Sequence, residues 1–499
     1  MVIYILLFIV LMGGLFARVY RTEDLLRFYY DQGRDALVIW RLWNEGKLFL
    51  IGPVTGLAGI FLGPLYYYMI APFYLIGGGS PVLPALFLGF TATLATFMLY
   101  YLGWKFHSRT TGIFAALVGS FSYYIVLAGR WLANPTPLLL TSTLLLWSMW
   151  KVATGKDQRW WVAVALFVGA SLQFESASAV FYLPMIGVFF VWLSILRLFG
   201  EREVTLPDKK TFIIASAVFL ATLLPQILFN FRHENLLVNN FKRVLVDEKS
   251  FKLPLKADTK YRLEYFWSVY HAKIFPGWKV YAAVFSLLSA TVIVANWKSL
   301  FKNYALSLLL IFIGIPILGY LTFYGNFGNI YDYYMTGYYL PMILLFSLGL
   351  GELWKTKFGK LGVIVFFILF FTESGVLLKN YLTATVQNRP IALEDQLQAV
   401  GWVFEDAKGS GEFNVDVYVP PVIPYAYDYL FLWRGTNRCG EDLCGMKQDE
   451  QVALLYTLYE ADPPHPERLD AWLARQTGIG EIEEEVSFGG ITVQRRRRI

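Results

Sequence analysis

Apolar residues run through most of the chain in long blocks broken by short polar stretches, and the pattern stops near residue 380. A bilayer-crossing helix needs about 20 apolar residues. Blocks of that order predict helices at 2–19, 85–103, 112–129, 137–151, 159–175, 178–198, 211–229, 277–296, 304–323, 333–352 and 361–379, eleven in all. The block 137–151 is short and is expected to extend past these bounds. Residues 53–77 are also apolar, but they carry Pro53, Pro64 and Pro72 and glycines at 52, 56, 59, 63 and 77. Backbone interrupted in this way is tolerated at membrane depth only against protein or at the interface. The segment is therefore expected to be a kinked helix lying on or re-entering the membrane. Beyond residue 380 the periods change. Residues 392–408 have helical spacing, 413–419 alternate like a strand, 449–460 and 466–476 read as helices, and 482–486 and 490–494 as strands. Two domains follow: residues 1–380 in the membrane, and a small α+β domain at 381–499.

Charge orients the expected bundle. Lys105/Arg109, Lys151/Lys156/Arg159, Arg197/Arg202/Lys209/Lys210, Lys298/Lys302 and Lys355/Lys357/Lys360 occupy every second loop of the eleven-helix arrangement. Basic loops stay on the cytoplasmic side. The N-terminus is then expected in the cytoplasm. Loop 20–84, the turn 130–137, loop 230–276, residues 324–332 and the C-terminal domain are expected outside. The chain opens at once on Val2-Ile3-Tyr4-Ile5-Leu6, without a basic leader region, so its first helix is expected to be permanent.

Composition agrees with this picture. The 499 residues are 56% hydrophobic and only 16% charged, against about 25% charged in soluble domains. The net charge of +6 does not point to nucleic acid, because these basic clusters sit in short inter-helix loops. The two cysteines, Cys439 and Cys444, lie close together in the C-terminal domain. A disulfide, a weak metal site and two free thiols are all compatible with that spacing; an extracytoplasmic location favours the disulfide. The terminal Arg495–Arg498 run reads as a solvated tail.

Polar residues near membrane level are costly and usually face a cavity or a partner. In the first outer loop Asp31, Arg34 and Asp35 are spaced i, i+3 and i+4, so on a helix they would share one face. Asp31 is the candidate general base, with Arg34 or Asp35 supporting it; the plainer reading is a solvated charged loop. Arg130 either binds a lipid phosphate with its planar fork or snorkels to the interface. Asn134, followed by Pro135, reads as a helix N-cap. Gln173 and Glu175 fall in a short hairpin and are expected to face a cavity. Arg232, His233, Lys242 and Arg243 make loop 230–276 basic, which suits a phosphate or diphosphate, or lipid headgroups. Tyr331 belongs to an aromatic belt that leaves its neighbour Asp332 unexplained. No nucleotide-binding, zinc-protease or serine-hydrolase motif is present.

The order of these features resembles the GT-C superfamily of membrane glycosyltransferases, and within it the bacterial relatives of protein O-mannosyltransferases and of the lipid A aminoarabinose transferases. The stretch Tyr30-Asp-Gln-Gly-Arg-Asp-Ala36 carries the resemblance, with Leu50-Ile-Gly-Pro53 and Gly59-Ile-Phe-Leu-Gly-Pro-Leu-Tyr-Tyr-Tyr68. Arg130-Trp, Asn134-Pro135 and Phe229-Asn-Phe-Arg-His233 are similar to elements of the same group. It implies a polyprenyl-phosphate-linked sugar donor, transfer with inversion on the outer face, and Asp31 in the acceptor-activating position. Arg34, Arg130, Arg232, His233, Lys242 and Arg243 are then expected near the donor phosphate. Asn134, Gln173, Tyr331 and Asp332 are expected at the sugar or acceptor. Many relatives have Asp-Glu where this chain has Asp31-Gln32, and an acidic residue where it offers Asn134 and Thr136. That departure leaves Asp35 and Glu175 as candidates for a second carboxylate. It also weakens the case for a divalent metal, which prefers several carboxylate oxygens. A transporter is the alternative, but it predicts internal repeats and mid-helix charges, and here the polar residues gather at helix ends. A structural membrane protein is the third reading, and it predicts that Asp31 and Arg130 are replaceable.

Overall fold

The computed structural model describes residues 2–57, 59–155, 157–200, 204–253 and 256–499. Lys156 and Arg202, counted above among the basic loops, lie outside the described residues. Each of the eleven apolar blocks is helical over most of its length, as in Val2–Val19, Val82–Phe106, Leu138–Thr154, Trp160–Phe174, Tyr182–Leu198, Lys209–Arg232, Ala305–Thr322, Thr336–Leu353 and Lys357–Leu382. Among the described residues, seven helices are long and apolar enough to cross a bilayer, or up to nine if each bent pair is one span, whereas Leu138–Thr154 and Trp160–Phe174 are shorter. The chain is an integral membrane protein by this pattern. The block expected at 112–129 is broken at Ser122 into Arg109–Phe121 and Tyr123–Arg130, bent by 64°.

The break has a partner. Arg18, in the first helix, is 2% exposed. Its Nη2 donates to the Gly119 carbonyl at 2.7 Å, and Nη1 to the carbonyls of Gly14 at 2.9 Å and Ser120 at 3.4 Å. Gly14 lies one turn back in Arg18's own helix, but Gly119 and Ser120 offer carbonyls of the last turn of the first half-helix, where orphan acceptors and the negative end of the helix dipole favour a cation.

Segment 53–77 departs from the single kinked helix expected. Residues 52–57 and 59–63 belong to a small loop closed by Gly52 N to Leu62 O and Leu62 N to Pro53 O. Only Leu65–Ile76 is helical. Proline and glycine density explains the loop: proline donates no backbone bond, and Gly59 sits at φ 75°. Gln226 Nε2 donates to Phe61 O at 3.1 Å, and Asn240 Nδ2 to Gly59 O at 2.9 Å, which pins the loop to the helices of the following region. That region, expected as a long loop at 230–276, contains the helices Leu236–Lys242 and Lys256–Ile274. The second carries charges around its whole girth and so gives no apolar stripe to read from sequence.

The C-terminal sheet has the order β1 (Phe413–Tyr418), β2 (Leu454–Glu460), β4 (Ile491–Arg498), β3 (Gly480–Phe488). β1 runs parallel to β2, and the other pairs are antiparallel. The helix expected at 449–460 is instead the strand β2, flanked by β1 and β4. Its apolar residues are buried on both faces, so they form a run without alternation. Arg495–Arg498 is not a tail but the end of β4. Arg496 is buried and donates to the Gly480 carbonyl at 2.8 Å, while Arg495 pairs with Asp406 and Glu483. Cys439 and Cys444 form a disulfide.

This domain is fastened to the bundle. Leu393 N donates to Leu26 O and Gln396 Nε2 to Phe28 O. Trp433 Nε1 donates to Gly78 O at 2.6 Å. The helix Tyr425–Cys439 lies so close to the helix Tyr30–Glu45 that a Cβ on Gly33 would fall 2.3 Å from the Ala426 nitrogen. The Asp31 helix is thus held between the bundle and the domain.

Candidate functional site

Tyr30–Glu45 is helical, so the i, i+3, i+4 spacing brings its charges together. Arg34 Nη1 pairs with Asp31 Oδ1 at 2.9 Å, and Arg34 Nη2 with Asp35 Oδ1 at 2.8 Å. The two carboxylates differ in setting. Asp35 is buried and also accepts the Tyr67 hydroxyl at 2.9 Å. The Asp31 side chain is 55% exposed, and its Oδ2 has no partner among the described residues. Gln32, between them in sequence, caps the helix at the Tyr29 nitrogen and donates to the Leu132 carbonyl.

Burial pushes the Asp35 carboxyl up to about 6, against the pull of Arg34 and the Tyr67 hydroxyl. A carboxyl whose pKa rises on folding contributes stability below its unfolded value, and that contribution is lost as pH rises through the folded one. The melting temperature of the wild type is therefore expected to fall more steeply than that of Asp35→Asn between about pH 4 and pH 6.5. Parallel melting curves across that range would contradict this setting for Asp35.

Asn134 is not an N-cap. The next helix begins at Leu138, and Asn134 Nδ2 instead donates to Phe174 O at 2.7 Å and Glu175 Oε2 at 3.2 Å. Glu175 also accepts from Ala177 N and is 5% exposed. Gln173 is buried. It accepts from Leu65 N and donates to the Thr222 carbonyl and to Gln226.

Two cavities lie beside these residues. The first is an apolar groove of about 620 Å³ between the loop Thr55–Phe61, the hairpin after Glu175 and the helices Lys209–Arg232 and Leu236–Lys242. Arg232 and Lys242 are exposed on the elements forming its wall. His233 stacks on Phe229 with ring centroids 4.0 Å apart, and Arg243 pairs with Glu248 at 3.6 Å. The second cavity, about 440 Å³, is more polar and is lined by Arg27, Gln32, Arg130, Lys273, Asp332 and tyrosines. The consecutive tyrosines Tyr333 and Tyr334 line one cavity each, Tyr333 the polar one and Tyr334 the groove, and their rings are 4.8 Å apart. Tyr331 stacks on Tyr333.

The six expected phosphate ligands are therefore not one cluster. Arg34 is tied to the acidic pair, Arg130 lines the polar cavity, and the four residues of 232–243 sit by the groove. Sequence reading missed Lys273, which binds Asp332 at 2.7 Å and accounts for that acidic residue. It also missed Arg27 and Tyr67. Lys273 and Tyr67 come to the site through long-range contacts that no local spacing announces, and Arg27 as part of the polar cavity's lining. Among the described residues, no group of three or more His, Cys, Asp or Glu stands where it could hold a metal ion.

Comparison with known proteins fits this geometry. The family model of dolichyl-phosphate-mannose-protein mannosyltransferases matches residues 62–229. ArnT from Cupriavidus metallidurans bound to undecaprenyl phosphate superposes with a TM-score of 0.61, at 11% identity, over 99% of this chain and 97% of that one. An oligosaccharyltransferase from Archaeoglobus fulgidus in the apo form gives 0.52, at 10% identity, over 96% of this chain and 72% of that one. A search of curated proteins by sequence finds no match. The chain has the fold of the GT-C membrane glycosyltransferases.

Proposed function

We propose that the protein is a glycosyltransferase that moves a sugar from a polyprenyl-phosphate donor to an acceptor at the extracytoplasmic face, with inversion. The observation that carries this reading is the pairing of an apolar groove with a polar cavity, divided by Tyr333 and Tyr334. A donor with a greasy tail and a polar head needs the first, and a hydroxyl-bearing acceptor needs the second. The undecaprenyl phosphate held by ArnT supports the same class of donor. The disulfide of the C-terminal domain supports the extracytoplasmic placement.

In this mechanism the acceptor hydroxyl attacks the anomeric carbon from the face opposite the phosphate. The new C–O bond forms as the bond from that carbon to the phosphate oxygen breaks, and polyprenyl phosphate leaves. Asp31 takes the hydroxyl proton: its carboxylate is exposed and keeps one oxygen open, whereas the exposed Asp332 is held by the buried Lys273 ammonium. Arg34 fixes its rotamer. Arg232, His233 and Lys242 steady the charge that develops on the leaving phosphate. Glu175, buried beside Asn134, positions the hairpin between the two cavities and does not take the proton.

The groove assignment has its own test. Val180 lines the groove and is 39% exposed. Val180→Trp is expected to fill part of it and to weaken polyprenyl phosphate binding by about tenfold or more in detergent, because several buried methylenes lose their place. Binding equal to wild type would remove the groove from the donor site.

A further inference from the structure

The polar cavity has more positive charge than the protein itself neutralises. Arg27, Arg130 and Lys273 line it against one carboxylate, Asp332. Asp332 is already held by Lys273, whose side chain is 4% exposed. Arg130 is 8% exposed, yet only neutral acceptors engage it: the Ala17 carbonyl at 3.0 Å and the Tyr381 hydroxyl at 3.3 Å. Its Nη2 has no partner among the described residues. Arg27 is exposed and has no ion-pair partner among them. A buried guanidinium without a counter-ion is costly unless something bound supplies the negative charge. Aromatic faces, Tyr123, Tyr124, Tyr339 and Tyr381, surround the same space and suit the apolar faces of a sugar ring.

We infer that this cavity binds an anionic group, a phosphomonoester or a carboxylate, carried by the acceptor. The inference rests on the transferase reading above and adds to it the acceptor's chemical class. It also separates Arg130 from the donor phosphate. Arg130 and Arg27 take the anion, Lys273 adds a third charge, and Asp332 tempers the site so that it holds the anion without trapping it. The anion could be borne by a lipid headgroup or by a soluble sugar phosphate, since both present the same oxygens to the guanidinium fork.

The experiment is equilibrium dialysis of the full chain in detergent. The anionic probes are dihexanoyl phosphatidic acid and glucose 6-phosphate; dihexanoyl phosphatidylcholine and glucose are their neutral counterparts. At least one anionic probe is expected to bind about tenfold tighter than its neutral counterpart, with affinity falling as salt rises. Preference for phosphatidic acid alone assigns a lipid-borne acceptor, and binding of the sugar phosphate assigns a soluble or glycan-borne one. Arg27→Gln is expected to weaken binding about fivefold. Asp332→Asn, which removes the one carboxylate, is expected to tighten it. Polyprenyl phosphate should not displace the probe. The proposal is overturned if neither anionic probe outbinds its neutral counterpart, if both variants bind as wild type does, or if polyprenyl phosphate competes, since the cavity would then serve the donor. Because the readout is binding, a failure of sugar transfer would sink the transferase reading while leaving the anion site standing.

Discussion

Asp31→Asn is expected to lose sugar transfer by a factor of about 10² to 10⁴, the range over which a positioned general base acts. The substitution is nearly isosteric. Asparagine keeps an oxygen for Arg34 Nη1, so the helix Tyr30–Glu45 and its ion-paired face should survive. What it loses is the capacity to accept the acceptor's proton. The loss should therefore fall on kcat, with polyprenyl phosphate binding unchanged, because the groove lies on other elements. A variant that folds and transfers at the wild-type rate would remove Asp31 as base. Asp35 is a poor substitute, since its Oδ1 is already shared by Arg34 and Tyr67 and it is buried.

The largest expected effect on stability is at Arg18. Arg18→Met keeps the length and the apolar stem but deletes three donated hydrogen bonds, leaving the Gly119 and Ser120 carbonyls buried at a broken helix end. Charge-assisted bonds of this kind contribute roughly 1.5–3 kcal/mol each and are not additive, so a loss of about 3 kcal/mol is expected. Unfolding of the purified chain in a mixed-micelle denaturant series measures it. Arg18→Lys should recover only part, because a point ammonium cannot span the carbonyls that the planar fork reaches. Arg18→Met unfolding within about 0.5 kcal/mol of wild type, the range of ordinary surface substitutions, would show that the break at Ser122 holds without the guanidinium.

The helices of the eleven apolar blocks were legible because each is written in one local run of apolar residues, whereas Lys256–Ile274, with no such run, was not. The acidic cluster was legible for the same reason, since Asp31, Arg34 and Asp35 sit within two turns. The break at Ser122 was not, because no proline marks it and its partner Arg18 is about a hundred residues away in sequence. The pairing of Lys273 with Asp332 spans 59 residues and joins a polar helix to a tyrosine-rich turn. Asn134 carried an N-cap signature, yet its amide is drawn to Phe174 and Glu175 in another hairpin. The strand β2 failed for a different reason. Buried on both faces, its run of leucines and tyrosines has no alternation to separate it from a helix.

The measurement that most directly tests the central claim is transfer of radiolabelled sugar from a panel of polyprenyl-phosphate sugars into envelope extract, using membranes that contain the wild-type chain or Asp31→Asn. The account predicts label in the acceptor fraction and release of polyprenyl phosphate with the wild type, and loss of nearly all of both with the variant. Wild-type membranes that transfer nothing from any donor, or a variant as active as the wild type, would contradict it.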